Sequence, residues 1–417
     1  MRNAIFSAVV ACSICGQAIG QTTSSIDVQR AQQAELSADA VARSMSMTKA
    51  NGFTISDGEN KLRVGGWAQF RYLMNWRDDP GPDANGDHDS GFTNGFELAR
   101  TRLNVAGNVL DPNLKFKAEG DFSRSNGDFS LLDAFVGYTF GDSGFTLRGG
   151  QFKPPLEREQ LVSDTAQLAI ERSTVDSVFS QSRSQGVELQ YAGDAARAFV
   201  MMNDGLGALN TRYNDSTEAD IGVTARGEWR LAGDWKRFDD FTSWRGADTA
   251  AMLGVAGHWQ HDGNTATPGD GSPGPVQQTD LFLYTADLSV EGDGWNVFAE
   301  FVGQHFDGDE GTDSLDDFGA VVQGGFFISE HDELFARWDC VFPDSDRAGN
   351  DDFNTITAGF NHYFVPESHA LKFTADVCWF LDPTTDNSLV PTGGRNGLLP
   401  TAEDNEVCVR FQLQFMF

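Results

Sequence analysis

What this chain has little of narrows its nature before any motif is considered. Basic residues are few: 30 Lys and Arg stand against 61 Asp and Glu in 417 residues, a formal charge of −31. A nucleic-acid binder is excluded, because neutralising a phosphate backbone takes clustered surplus Lys and Arg. Long apolar runs are missing, none approaching the ~20 residues of a membrane helix. Cysteine is scarce, with 5 in the whole chain and so no basis for a disulfide framework. The 7 His are scattered without metal-ligand spacing, and no P-loop, dinucleotide-binding glycine pattern, HExxH or GxSxG occurs. Neither metal, cofactor nor enzyme activity is expected on that ground. Glycine and aromatic residues are plentiful: 45 Gly, 33 Phe and 9 Trp, and a 12% aromatic content argues against wholesale disorder.

Residues 1–20 read as a secretory signal peptide. Arg2 supplies the positive start, residues 5–14 the apolar stretch, and Ala18-Ile19-Gly20 the small residues before cleavage at Gln21. A lipoprotein signal is the rival, since Val9-Val10-Ala11 precedes Cys12. Either reading takes the mature chain out of the cytoplasm. Removal of the signal takes Cys12 and Cys15 with it and leaves Cys340, Cys378 and Cys408. Residues 21–58 are polar, with Ile26, Leu36, Val41 and Met45 spaced as on a short helix or coiled-coil arm; a flexible tether is the alternative.

From residue 59 to the end the hydrophobic period is two. Ala68, Phe70, Tyr72, Met74 and Trp76 alternate with Gln69, Arg71 and Asn75. Further on, Ile221, Val223, Ala225 and Trp229 alternate with Thr224, Arg226, Glu228 and Arg230, and Val407, Val409, Phe411, Leu413, Phe415 and Phe417 with Arg410, Gln412 and Gln414. Successive side chains of a strand point to opposite faces, so each segment has one apolar and one polar face. A soluble sandwich alternates as well. Here the segments run about 9–12 residues, matched to a tilted membrane crossing rather than a soluble strand. Their polar faces carry full charges, and aromatics (Trp76, Phe96, Tyr138, Phe140, Trp229, Tyr363, Phe417) gather near segment ends as an interfacial girdle.

About sixteen such segments are separated by alternating long and short joints, the plan of an outer-membrane barrel with long external loops and tight periplasmic turns. The joint at residues 232–248 breaks the rule: it should be short, and either a small helix hides there or the strand count is off by two. The predicted fold is all-β, a transmembrane antiparallel β-barrel over residues 59–417. A hairpin centred on residues 381–404 would set Cys378 opposite Cys408, where the pair could bridge in an oxidising compartment; three buried or wall-facing thiols is the alternative.

By parity the first five strands place six cations in the lumen, Arg71, Arg100, Arg102, Lys115, Lys117 and Arg148, against Glu119, Asp121 and Asp133. This basic strip is read as an anion path, with ordinary lumen salt bridging as the alternative. Residues 153–183 form a joint too long for an idle loop and carry Lys153, Glu157, Glu159, Asp164, Glu171 and Arg172. Folded inward, its carboxylates would face the strip across a constriction; otherwise it is an external lid. Acidic residues crowd the loops after the first and eleventh segments. Residues 83–89 resemble the opening of a calcium loop but lack its sixth-position Gly and twelfth-position acid, so no specific metal site is expected.

Gly150-Gln151-Phe152-Lys153-Pro154-Pro155, then Ile170-Glu171-Arg172-Ser173 and Gly186-Val187-Glu188-Leu189, together resemble the phosphate-selective porin O and P family. The Arg-bearing strand with Arg100 and Arg102 is similar too, and the terminal Phe417 resembles the assembly signal of outer-membrane barrels. The resemblance implies a sixteen-stranded trimeric barrel in the cell outer membrane, folded by the barrel assembly machinery, with an N-terminal coiled-coil segment and an arginine ladder matched loosely by Arg71, Arg100 and Arg102. The expected function is passive diffusion of small hydrophilic solutes, with a preference for inorganic anions such as phosphate. A barrel-type receptor or adhesin using its long loops is the second reading, and a soluble secreted lectin the third.

Overall fold

The two-residue period becomes a closed wall in the computed structural model, which describes residues 52–57, 59–78, 91–180, 182–213, 215, 218–262, 279–308, 314–400 and 405–417. The strands are β1 (Phe53–Asp57), β2 (Asn60–Trp76), β3 (Phe92–Asn108), β4 (Leu114–Phe122), β5 (Phe129–Thr139), β6 (Phe145–Phe152), β7 (Ser184–Ala192), β8 (Ala196–Asn203), β9 (Ile221–Ala232), β10 (Ala250–Asp262), β11 (Thr279–Gly292), β12 (Trp295–Gly308), β13 (Leu315–Phe327), β14 (Asp332–Phe342), β15 (Phe353–Tyr363), β16 (Leu371–Phe380) and β17 (Glu406–Met416). Each of β2–β17 pairs antiparallel with its neighbours in sequence, and β17 returns to β2, so sixteen strands close on themselves. Closure pairs every backbone group and leaves no edge in hydrocarbon. No helix among the described residues is long and apolar enough to cross a membrane; the strands make the crossing.

The outer face is apolar and exposed, from Phe70 and Phe96 round to Trp229, Trp338 and Phe415, with Phe96 at 70% exposure. The girdle expectation holds for Trp76, Phe96, Tyr138, Phe140, Trp229 and Phe417, which are all exposed, but not for Tyr363. Tyr363 is fully buried on the inner face, because it shares parity with Asn361 and Thr357, and its hydroxyl donates to Glu333 at 2.7 Å. Two strands keep their inward charges by carrying an extra residue. Opposite β2, Gln69 faces Arg100 and Phe70 faces Leu98, so Ala99 is a β-bulge. The bulge shifts parity by one, which turns Glu97, Arg100 and Arg102 all toward the lumen. Opposite β4, Glu119 faces Asp133 and Gly120 faces Leu131, with Leu132 the extra residue.

The sheet starts earlier than residue 59. β1 pairs with the first residues of β2, from Phe53 opposite Val64 to Asp57 opposite Asn60. It occupies the lane that β17 vacates at its end, where Phe417 and Gly66 exchange backbone hydrogen bonds of 3.0 Å each. The odd joint of the sequence, residues 233–249, contains a 3-10 turn, Trp235–Asp239, and the strand count of sixteen stands. Cys378 and Cys408 are register partners, both buried and unbridged. The expected signal peptide, most of the polar segment 21–58 and the calcium-like residues 83–89 lie outside the described residues.

Candidate permeation site

The joint between β6 and β7 folds inward, across the lumen. The Gly150–Pro155 motif starts it: Gly150 has φ +135°, and a Cβ there would meet the Ala134 carbonyl oxygen at 2.2 Å. Beyond it lie helix α1 (Arg158–Leu161), a 3-10 turn (Asp164–Ala166) and helix α2 (Thr174–Phe179). Ser173 caps α2 by accepting from the Asp176 N–H at 3.0 Å. Leu156, Glu157, Glu159, Asp164, Leu168, Ile170 and Glu171 are all buried, which an external lid would not be.

A backbone buried this way must find partners for its polar groups, and the barrel wall supplies them. Glu300 accepts from the Arg158 and Glu159 N–H groups at 2.9 and 3.0 Å, Asp376 from Ile170 at 3.0 Å and Asp339 from Thr174 at 2.8 Å. In the other direction Lys372 donates to the Gln167 carbonyl at 2.8 Å, Arg226 to Leu156 at 2.9 Å and Arg337 to Glu171 at 2.9 Å. Much of the lumen charge read from β9–β17 therefore serves as a socket. Apolar packing completes it. Gly319 lies under α2, where a Cβ would sit 2.7 Å from Val175 and 2.8 Å from Phe179.

The loop carboxylates meet the basic strip directly. Arg100 grips both oxygens of Glu171 at 2.6 and 2.7 Å, and Arg71 approaches the same carboxylate at 2.5 Å. Arg102 contacts Asp164 at 2.6 Å and Asp121 at 3.1 Å, and Arg172 also pairs with Asp164. Burial alone would raise both loop acids; the guanidinium groups of Arg100, Arg102 and Arg172 hold Asp164 well below the usual carboxylate range, and Arg100 and Arg71 hold Glu171 low. Arg71, Arg100 and Arg102 are consequently clamps on the loop rather than free cations lining water. Glu157 and Asp176 behave oppositely. Burial, then the Asp176 and Glu300 carboxylates, push Glu157 well up. Burial, with Glu159, pushes Asp176 up to about 7 against the pull of Arg172.

A second segment enters from the end that carries the short turns. Residues 233–249 bury Phe238, Phe241, Thr242 and Ser243, and the Phe241 N–H donates to the Ala166 carbonyl of the inward loop at 3.3 Å. Arg158 reaches back to the Phe238 carbonyl. Thr242 contacts the Tyr363 hydroxyl at 3.1 Å, Asp240 contacts His369 at 3.2 Å, and Trp244 packs 4.8 Å from the Tyr363 ring. Two insertions, one from each side, thus touch inside the barrel and fill the half bounded by β10–β16.

Open space lies against β2–β6. A cavity of about 430 Å³ is lined by Arg63, Arg102, Lys117, Arg148 and Arg183 with Glu119, Asp133 and Asp164, and by Trp67, Phe135, Phe152 and Met416. Lys117 pairs with Asp133 at 2.7 Å, Arg148 with Glu188 at 2.8 Å, and Arg183 with Asp133 at 2.9 Å. Arg63 and Lys115 form no ion pair among the described residues, and Lys115 stands exposed beside the cavity near Lys61. Lys153 also lines the cavity, but burial and then Arg172 hold its ammonium well below the ordinary lysine range. Of the residues read from the sequence, Arg71, Arg100, Arg102, Lys117, Arg148 and the six loop residues are buried or half-buried, while Lys115 is exposed. The sequence flags the joint at 232–248 as too long and allows a small helix there, which the 3-10 turn matches, but its inward course was not read, although Trp235, Phe238, Phe241 and Trp244 were a usable signal. Arg63, near the start of β2 and without an ion pair among the described residues, was missed as well.

Residues 72–240 match the family model described as phosphate-selective porin O and P, the family that the motifs resemble. No curated protein matches the chain by sequence. Among solved structures, outer-membrane expressed OmpT of Vibrio cholerae aligns at 12% identity with a TM-score of 0.56, covering 87% of this chain and 100% of its own. The same protein has been solved in a trimer form. The outer membrane channel DcaP of Acinetobacter baumannii aligns at 14% identity and TM-score 0.54, over 88% of this chain and 100% of its own. Pseudomonas putida OprB aligns at 11% identity and TM-score 0.54, over 85% and 94%. The chain is an integral barrel of the outer membrane with a porin-like channel fold.

Proposed function

We propose that this barrel is a diffusion porin whose water path runs along β2–β6 and favours small anions, phosphate among them. One observation carries the reading: the two insertions pack against the β10–β16 half, and the cavity lies on the wall where Arg63 and Lys115 present positive charge beside Lys117, itself paired with Asp133 and Glu119. Fixed cations beside a narrow water path replace part of an anion's hydration and raise its local concentration. The solute crosses without chemistry, in keeping with a wall whose inward groups are held by ion pairs. The trimer form of the Vibrio cholerae barrel supports a homotrimer here too. A receptor or adhesin would show no steady current, and this is the discriminating measurement. Reconstituted in a planar bilayer under a salt gradient, the protein is expected to conduct steadily with a reversal potential on the anion side. Replacing Lys115 and Lys117 by Ala moves that potential toward cations. A cation-selective wild type overturns the anion preference, and a silent one overturns the pore.

A further inference from the structure

The cavity against β2–β6 is half apolar, and its apolar half has an unanswered polar group. Trp67 is 5% exposed, faces inward beside Gln69, and its indole Nε1–H has no hydrogen-bond partner. A buried donor left without a partner costs free energy, so it marks a place where something else accepts. The ring below it is stacked by the Arg102 guanidinium, 5.0 Å from the centroid. Across the cavity the Arg148 guanidinium lies 3.7 Å over Phe152 and 4.9 Å from Phe135, with its Nε also unpartnered. Flat apolar surfaces and cationic planes therefore alternate round one space.

That combination discriminates among anions. A compact, strongly hydrated anion gains from the cations but loses hydration against Trp67, Phe135, Phe152 and Met416 without replacement. A carboxylate on a ring-sized apolar body satisfies both halves: its oxygens accept from the indole N–H and the guanidinium groups, and its body covers the aromatic wall. The volume, about 430 Å³, lies in the roughly 300–1,000 Å³ range of small-molecule sites. Phe417 also lines the space, and Arg63, Lys61 and Lys115 line the adjoining mouth. We infer that this cavity is a binding subsite for small aryl monocarboxylates, which rest there during passage. The inference rests on the anion path proposed above and names a solute class for it.

The test is calorimetric titration of the full-length barrel in detergent with benzoate, acetate and inorganic phosphate. Benzoate is expected to bind saturably, with acetate and phosphate at least about tenfold weaker. Trp67→Phe keeps the ring and removes the N–H, and weakens benzoate about tenfold. Trp229→Phe, on the lipid face, leaves benzoate binding as it was. Benzoate binding no tighter than acetate, or unmoved by Trp67→Phe, overturns the inference. In a planar bilayer the same benzoate reduces chloride current. A bilayer that stays silent while benzoate binds with the expected Trp67 dependence sinks the pore and leaves the subsite standing.

Discussion

Strands β2–β6 and strands β10–β16 face each other across the lumen with the same alternation of inward charge and outward apolar side chain, yet their inner faces do different work. On β10–β16 the charged groups are enclosed: Glu300, Asp339, Asp376 and Lys372 hold loop backbone, and between them Leu168, Val175, Phe179, Phe241 and Phe298 make a dry core. On β2–β6 the charges divide. Arg71, Arg100 and Arg102 clamp Glu171 and Asp164, while Arg63, Lys115 and Lys117 keep contact with water. Identical strand grammar thus gives a socket on one side and a conduit on the other, and what decides is the chain packed against each.

The largest disturbance of this contrast is to empty the socket. Excising residues 157–178 in favour of a short glycine linker should raise single-channel conductance several-fold, since a wide barrel is left. Shortening residues 235–243 to a tight turn opens only the lower part of the filled half. The expected rise is smaller, and no rise would mean that the insertion lies off the water path. Arg100→Ala separates clamp from conduit. It removes the bidentate partner of a buried Glu171 and should cost about 3 kcal/mol, the low end for breaking a buried pair, because Arg71 still contacts the carboxylate. The readout is a lower thermal midpoint in detergent together with a flickering, larger current. A shift of ion preference alone, with no flicker, would restore Arg100 to the role of free cation.

The finest effect is one of pH. Asp176 in the docked loop titrates at about 7, above its value in a solvated chain, so the docked state binds the proton more tightly. Docking is therefore favoured at acid pH and loses that contribution as pH rises toward and through 7. Loop fluctuations in the current record should increase over this interval, and Asp176→Asn should flatten the dependence. Asp164 and Glu171 work in the opposite sense at lower pH, because both sit below their ordinary range and docking weakens once they are protonated, whereas Glu157, pushed up by burial, works in the same sense as Asp176.

The barrel was legible because parity is a local property: whether Phe70 or Arg71 faces lipid follows from its neighbours alone. The inward course of residues 153–183 could be argued from length and charge, and its carboxylates do meet the strip. What parity could not tell is how close they come. Direct contact turns Arg71, Arg100 and Arg102 from a water-facing ladder into a clamp, and distances of 2.5 to 2.7 Å are a property of tertiary packing. The bulge at Ala99 hides from a period-two reading for the same reason, since it moves the phase in mid-strand. Tyr363 read as a girdle residue because aromatics at strand ends usually are, and only the register with β14 shows its hydroxyl aimed at Glu333.

The short strand β1 bears on how the cylinder is assembled. Phe53–Asp57 lies end to end with β17 along β2, and Phe417 meets Gly66 just before that lane is taken by Phe53 opposite Val64. β1 and β17 thus share one lane along β2, and β1 begins where β17 leaves off. A slip of one residue at this seam would swap the lipid and lumen sides of the whole strand, and the β1–β2 hairpin leaves β17 no free length of β2 to slip along.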